Sequence, residues 1–231
     1  METYQTLMTS DGSPTLIDPK SGQAMHAREG AASETFYIYG QGYLESRKED
    51  VSHSVCVVGL GMGYIELCIL GHWLTSFGSD SLPAIHSYES DIKLRDAFTT
   101  WLAGKPNGEL DLVLKNVSKN FGLMDRDLKD VALNFYATFQ WQIHGALSSD
   151  TKAPLKFGLI CYDPFSSSAN PDLWEEDWLD IFVKNFADIK SVFTTYASNG
   201  RLKKVLNKCG FSLKNKIGFG MKRESTLAIR N

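Results

Sequence analysis

Residues 54–63 read Ser54-Val55-Cys56-Val57-Val58-Gly59-Leu60-Gly61-Met62-Gly63, an unbroken apolar run that ends in three alternating glycines. No other stretch of the chain restricts its fold so tightly. An apolar run without polar alternation belongs to a strand buried on both faces, as in parallel sheets. Glycines straight after such a strand permit positive φ and let a ligand approach the backbone closely. The spacing is G-x-G-x-G. A dinucleotide fingerprint, G-x-G-x-x-G, would need glycine at position 64, where this chain has Tyr64. A nucleoside carrying an amino acid needs no pyrophosphate cradle, so the shorter pattern favours S-adenosylmethionine over NAD.

From this turn onward, apolar strand candidates alternate with helical stretches. Strands are expected at 55–59, 85–89, 133–141, 157–162, 191–195, 211–215 and 226–229, and helices at 62–74, 92–102, 110–119, 173–186 and 198–208. Such alternation predicts a mostly parallel sheet with helices on both faces. The last two strands are joined by Lys216-Ile217-Gly218-Phe219-Gly220 with no helix between them, which reads as a terminal antiparallel pair. A seven-stranded, mostly parallel sheet finished by a C-terminal antiparallel hairpin is the arrangement of class I (Rossmann-like) methyltransferases. Residues 1–50 read differently. Turn signals at Asp11-Gly12-Ser13-Pro14 and Asp18-Pro19-Lys20-Ser21-Gly22 separate short extended candidates at 15–17 and 36–39. The expected division is an N-terminal extension packed on the core, 1–50, and a methyltransferase domain, 51–231.

Two strand ends carry acids, and ligands of open α/β sheets bind at the carboxyl ends of strands. The second strand ends Tyr88-Glu89-Ser90-Asp91; Glu89 suits the ribose hydroxyls, and Asp91 suits the cap of the next helix. The fourth ends Tyr162-Asp163-Pro164-Phe165, which resembles the (D/N)-P-P-(F/Y) signature of methyltransferases acting on amino groups. A carboxylate there can hold amine N–H groups or help remove a proton, while proline fixes the turn and the aromatic lines the pocket. The same acid could also do no more than start the turn into the next helix. In that helix Asp172, Glu175, Glu176, Asp177 and Asp180 read as a solvated face that also complements the helix dipole.

The net charge of −3 hides an asymmetry, since residues 201–231 hold nine Lys or Arg against one acid. That +8 tail on an acidic body could meet phosphates, or could be a solvated helix face followed by loop lysines. The apolar runs are far too short to span a bilayer, and Met1-Glu2-Thr3-Tyr4-Gln5 resembles no signal peptide. The expectation is a cytoplasmic protein without a membrane partner. Cys56, Cys68, Cys161 and Cys209 are scattered and the five histidines show no ligand spacing, so no metal is expected.

Several stretches together resemble the MnmC methyltransferase domain, the tRNA 5-methylaminomethyl-2-thiouridine methyltransferase. Asp163-Pro164-Phe165-Ser166-Ser167-Ser168-Ala169-Asn170-Pro171-Asp172-Leu173-Trp174 is similar to its D-x-F-x-P-x-x-N-P-x-x-W motif, and Gly218-Phe219-Gly220-Met221-Lys222-Arg223-Glu224 to its G-F-G-x-K-R-E. Met25-His26-Ala27-Arg28-Glu29-Gly30-Ala31, with Glu34 and Tyr37, resembles its N-terminal segment. The resemblance implies N-methylation of the 5-aminomethyl group of the wobble uridine in tRNA, with S-adenosyl-L-methionine as cofactor. Asp163 would be the catalytic carboxylate. Met25, Glu34, Gly59, Leu60, Gly61, Gly63, Glu89, Ser90, Gln142 and Ile143 would hold the cofactor, and Pro164, Phe165, Tyr196, Lys222 and Arg223 would meet the substrate. Larger members add a flavin-dependent oxidase domain. This chain is expected to be the stand-alone form, so a separate oxidase or modification enzyme would be its partner. Where the family usually carries Asn this chain has Ile65, and where it often places Gly-Asp the segment here is Trp141-Gln142-Ile143-His144-Gly145-Ala146. These departures keep two alternatives open: a methyltransferase for another amine, in a small molecule or protein, and a methyltransferase-like binding module.

Overall fold

The structure is a computed structural model that describes residues 4–77 and 83–231; Met1, Glu2 and Thr3 of the stretch read for a leader lie outside them. In chain order the elements are β1 (Gln5–Met8), β2 (Pro14–Ile17), α1 (Ala31–Thr35), α2 (Gln41–Lys48), β3 (Ser54–Val58), α3 (Tyr64–His72), β4 (Ala84–Tyr88), α4 (Ile92–Leu102), α5 (Gly108–Phe121), α6 (Asp125–Ala137), β5 (Trp141–His144), β6 (Phe157–Tyr162), α7 (Glu176–Phe186), β7 (Ala187–Thr195), α8 (Gly200–Lys208), β8 (Ser212–Lys214) and β9 (Thr226–Arg230).

β1 and β2 form a hairpin of their own, and the other seven strands form one sheet in the order β5-β4-β3-β6-β7-β9-β8. The five strands from β5 to β7 in that order are parallel, and β9 runs antiparallel to both β7 and β8. This is the class I methyltransferase arrangement that the sequence pattern predicts. β3 is the centre, with all five residues buried. Its side chains alternate between two cores. Val55 and Val57 pack with α1 to α6, whereas Cys56 and Val58 pack with Leu179, Phe182 and Val183 of α7 and Leu202, Val205 and Leu206 of α8. A period of two along the strand therefore sorts helices to both faces of the sheet. After β5 the chain returns to the other side of β3 as β6, so the ends of β3 and β6 flank the topological switch point, where such sheets bind ligands.

Two expected strands are helical. The aromatic stretch 133–141 suggested a strand, but α6 runs to Ala137 and only Trp141–His144 pair with β4. The helix wins because Leu128, Ala132 and Phe135 recur at helical spacing and bury one face. Residues 36–39, read as extended, form a π turn (Phe36–Gly40) inside one helical segment that joins α1 to α2. Local β propensity loses there to tertiary partners described below. β7 also starts four residues earlier than the expected strand at 191–195. Among the described residues no helix is long and apolar enough to cross a membrane.

Candidate active site

Gly59, Gly61 and Gly63 all have positive φ, at 91°, 50° and 75°. Each has a separate reason to lack a side chain. A Cβ on Gly59 would collide with the carbonyl oxygen of Asp163, and one on Gly63 would enter the Phe98 ring. Gly61 is open towards the crevice, with only Met25 Sδ nearby, 3.5 Å from where a Cβ would stand. The turn is stitched to the neighbouring strand ends. Gly59 N–H donates to Tyr88 O at 2.8 Å, and Gly61 N–H to Glu89 Oε2 at 3.0 Å. Glu89 also accepts from Asp91 N–H at 2.9 Å. Burial pushes the Glu89 carboxyl above the ordinary range, and those two amides pull it back. Asp91 caps α4 by accepting from Lys93 N–H at 2.7 Å, and it accepts from Tyr4 Oη at 2.8 Å.

Across the switch point, Asp163 N–H donates to Val58 O at 2.8 Å, which pins its backbone beside the glycine turn. Its side chain is half-buried, and Tyr39 Oη donates to Oδ1 at 2.5 Å. Burial raises the Asp163 carboxyl well above its usual range, while the Tyr39 hydrogen bond and the charge of Lys222 pull the other way. The Lys222 ammonium pairs with Glu34 Oε1 at 2.8 Å and lies over the Tyr196 ring, 4.2 Å from its centroid. Glu34 Oε2 accepts from Ala27 N–H at 2.7 Å. Tyr196 Oη donates to Pro164 O at 3.0 Å, and Trp174 Nε1 donates to Phe165 O at 2.8 Å, fixing the turn after β6. Beneath both ends lies Glu66, fully buried. Its Oε1 accepts from Ser87 Oγ at 2.5 Å and its Oε2 has no hydrogen-bond partner among the described residues.

An open crevice of about 1540 Å³ joins the two ends, lined by Gly59 and Glu89 on one side and by Asp163, Tyr196 and Lys222 on the other. Its outer wall is the loop of residues 18–28, from the N-terminal segment. Gln23 ties this loop to the opposite rim, donating to Ser168 Oγ at 3.2 Å and accepting from Ser166 Oγ at 2.9 Å.

Residues 108–231, more than half of the chain, match the sequence model of a family described as S-adenosyl-L-methionine-dependent methyltransferase. The chain belongs to that family. S-adenosyl-L-methionine is thus the methyltransferase's cofactor, and the residues present fit it: Gly61 leaves its backbone bare to the crevice, and Glu89 stands at the rim beside it. Among sequence relatives, the methyltransferase is 25% identical over its whole length to an uncharacterized protein of Methanocaldococcus jannaschii, of which it spans 60%. It is 26% identical, over 77% of its length, to the tRNA 5-methylaminomethyl-2-thiouridine biosynthesis bifunctional protein MnmC of Leptospira borgpetersenii. The corresponding protein of Burkholderia pseudomallei is 24% identical over 90% of the chain. The chain spans only 27% and 33% of those two bifunctional proteins. In fold it is similar to MnmC2 of Aquifex aeolicus (TM-score 0.70, 21% identity, 99% of this chain and 70% of that one). It is also similar to the spermidine synthase of Thermotoga maritima (TM-score 0.54, 15% identity, 94% and 69%). The resemblance to the MnmC methyltransferase domain therefore holds.

Of the residues singled out from the sequence, Met25, Gly59, Leu60, Gly61, Glu89, Ser90, Asp163, Pro164, Phe165, Tyr196 and Lys222 converge on the crevice of this methyltransferase. The others stand off it. Gly63 is a packing glycine at the start of α3, and Glu34 reaches the crevice through its partners Lys222 and Ala27. Gln142 and Ile143 lie within β5, paired with His86 and Ser87, and the crevice wall there is Ala146 and Leu147, just past the strand. Arg223 is exposed on the turn beyond Lys222, outside the lining.

The basic tail and the acidic helix, each read separately as a solvated face, are partners. Arg201 pairs with Glu175, Lys204 with Glu176 and Lys208 with Asp180. Lys203 pairs with Glu224, and Arg230 donates to the Asp188 and Cys209 carbonyls. Tyr39 has no local signal, since its bond to Asp163 joins positions 124 residues apart in sequence. Among the described residues no three His, Cys, Asp or Glu side chains gather as a metal site.

Proposed function

We propose that this methyltransferase N-methylates the 5-aminomethyl group of the wobble uridine in tRNA. The observation that carries the proposal is the Asp163 carboxylate, which faces the crevice beside the glycine turn with one oxygen held by Tyr39. The names of the relatives in Leptospira and Burkholderia support the tRNA substrate. When bound, the cofactor supplies a methyl group on a sulfonium. An attacking amine must be neutral, and Asp163 Oδ2 is the oxygen left to orient its N–H or receive its proton. Tyr196 and the Lys222–Glu34 pair would shape the acceptor's entrance, with Pro164 and Phe165 as its floor and Arg223 at its outer edge. Met25, Leu60, Gly61, Glu89 and Ser90 would contact the cofactor, and Gly59 and Gly63 would shape the turn. In this reading residues 1–50 are an extension that walls the crevice of a domain spanning 51–231. The reading places the protein in the cytoplasm, acting on tRNA that already bears the aminomethyl group.

The test is incubation with labelled S-adenosyl-L-methionine and tRNA bearing 5-aminomethyl wobble uridine, comparing the wild type with Asp163→Ala. Label in tRNA with the wild type and a loss of about 10³-fold in the variant are expected; equal labelling by both would remove Asp163 from the mechanism. One observation favours a second reading, in which the acceptor is another amine in a small molecule or protein. Because α8 is paired with α7, few cations of the tail remain for phosphates. Transfer to tRNA should weaken steeply with salt, and transfer to a small amine should not.

A further inference from the structure

The helical ladder of the N-terminal segment is interrupted at the π turn Phe36–Gly40, and such interruptions recur at functional sites. Here the turn is gripped from two distant places. The Ile38 carbonyl accepts from Thr194 Oγ1, on β7, at 3.0 Å and from Lys216 Nζ, in the loop before β9, at 3.2 Å. Lys216 is buried with its ammonium 5.2 Å from the Tyr37 ring centroid, and burial pulls its amine down to about 8. A buried lysine that spends its charge on a main-chain carbonyl fixes that carbonyl firmly. The next residue is Tyr39, itself buried, with its hydroxyl on Asp163 Oδ1.

We propose that Tyr39 is a positioning residue for methyl transfer. By donating to Oδ1 it sets the plane of the Asp163 carboxylate, so that Oδ2 is the oxygen presented to the acceptor amine. The inference rests on the reading of Asp163 as the carboxylate that meets the acceptor. A carboxylate rotates easily about its last torsion, and a catalytic group must be held to within about 10–20° of its working direction. The Asp163 backbone is fixed by its bond to Val58, but that bond leaves the last torsion free. Among the described residues Tyr39 makes the only hydrogen bond to the side chain.

The surrounding charges make Tyr39 matter more. Burial first, then Glu34 from α1 and Glu66 from α3, favour a proton on Asp163, and Lys222 opposes it; the Tyr196 phenol, also electrostatically coupled to Asp163, is kept neutral by burial. Burial and the adjacent carboxylate push the Tyr39 phenol far up, so it stays a donor throughout the working range. It therefore keeps Asp163 ionised at lower pH than its neighbours would allow.

The experiment follows the Asp163 carboxyl directly, by infrared difference spectroscopy over a pH series, with Asp163→Asn identifying the band. Tyr39→Phe keeps the ring and removes the donor. It should move the Asp163 midpoint up by about one pH unit and leave binding of S-adenosylhomocysteine unchanged by calorimetry. With 5-aminomethyl tRNA, kcat should fall about tenfold or more at unchanged KM for cofactor, and the acid limb of the rate profile should move up with the midpoint. Site-specific 3-fluorotyrosine at position 39, a stronger donor, should move the midpoint down. An unmoved midpoint in both variants overturns the role of Tyr39, whatever the substrate. A shifted midpoint, with no transfer to tRNA by the wild type, overturns the proposed acceptor and leaves Tyr39 in place.

Discussion

The two ends of the crevice are built in opposite ways. The end proposed for the cofactor comes, apart from Met25, from β3, its glycine turn and the end of β4, and its shape rests on main-chain donors: Gly59 N–H on Tyr88 O and Gly61 N–H on Glu89. The end proposed for the acceptor is assembled from side chains on four separate segments: Glu34 and Tyr39, Asp163, Tyr196 and Lys222. Tyr39 meets Asp163 across 124 residues, and Lys222 meets Glu34 across 188. A cofactor shared by many reactions can be held by backbone geometry, which tolerates change in the neighbouring side chains. An acceptor demands particular functional groups in particular places, and these are gathered wherever the fold can supply them.

If the two ends meet anywhere, it is at Gly59, and a substitution there should damage both. Gly59→Ala forces a side chain into positive φ and against the Asp163 carbonyl. A loss of about 3 kcal/mol of stability is expected, together with lost cofactor binding; denaturant melts and calorimetry read the two effects. A fully stable variant that binds cofactor would show that the ends are less coupled than their geometry implies.

Glu66 lies under both ends and offers a finer test through pH. Burial raises its carboxyl to about 8, with the Ser87 hydrogen bond acting against the shift. Between the unfolded value of 4.5 and 8, the folded chain holds a proton that the unfolded chain has released. Its contribution is therefore complete below pH 4.5 and is lost as pH rises through that window, at up to about 1.4 kcal/mol per unit. Glu66→Gln cannot ionise in either state, so the variant should gain stability relative to wild type as pH rises from 5 to 8. Parallel melting curves across that range would show that Glu66 is ionised in the fold.

The smallest expected effect sharpens the contrast most. Lys222→Met leaves the buried Glu34 carboxylate without its cation, and because Lys222 is partly exposed the cost should be about 1–2 kcal/mol. Acceptor kinetics should suffer while cofactor affinity stays within about twofold. A variant with weakened cofactor binding and intact acceptor kinetics would move Lys222 to the other end of the crevice.

The same contrast explains what could be read from the sequence. The glycine turn, Glu89 and the terminal hairpin were legible because each is a local pattern with a backbone cause. Asp163 was legible because strand ends at a switch point are exposed by topology. Tyr39 was not, because Phe36-Tyr37-Ile38-Tyr39 has the composition of a strand, whereas the π turn it forms is held at the Ile38 carbonyl by donors from the distant Thr194 and Lys216. Gln142 and Ile143 lie inside β5, off the crevice lining, for a related reason. The strand was expected to end at Trp141 and instead begins there, so the crevice meets the chain a few residues later, at Ala146. The tail's charge is opaque in another way: composition counts cations but does not show that Arg201, Lys204 and Lys208 each meet an acid at α7 or its N-terminal edge.

The grip on Ile38 also has a consequence for synthesis. A ribosome delivers the N-terminal segment first, yet that segment's π turn waits for Thr194 and Lys216 to emerge. The centre of the sheet is complete sooner, once β6 has joined β3. A nascent chain can therefore shape the glycine turn and its bond to Glu89 well before the bond of Tyr39 to Asp163 is secured, which waits until nearly the whole message has been read.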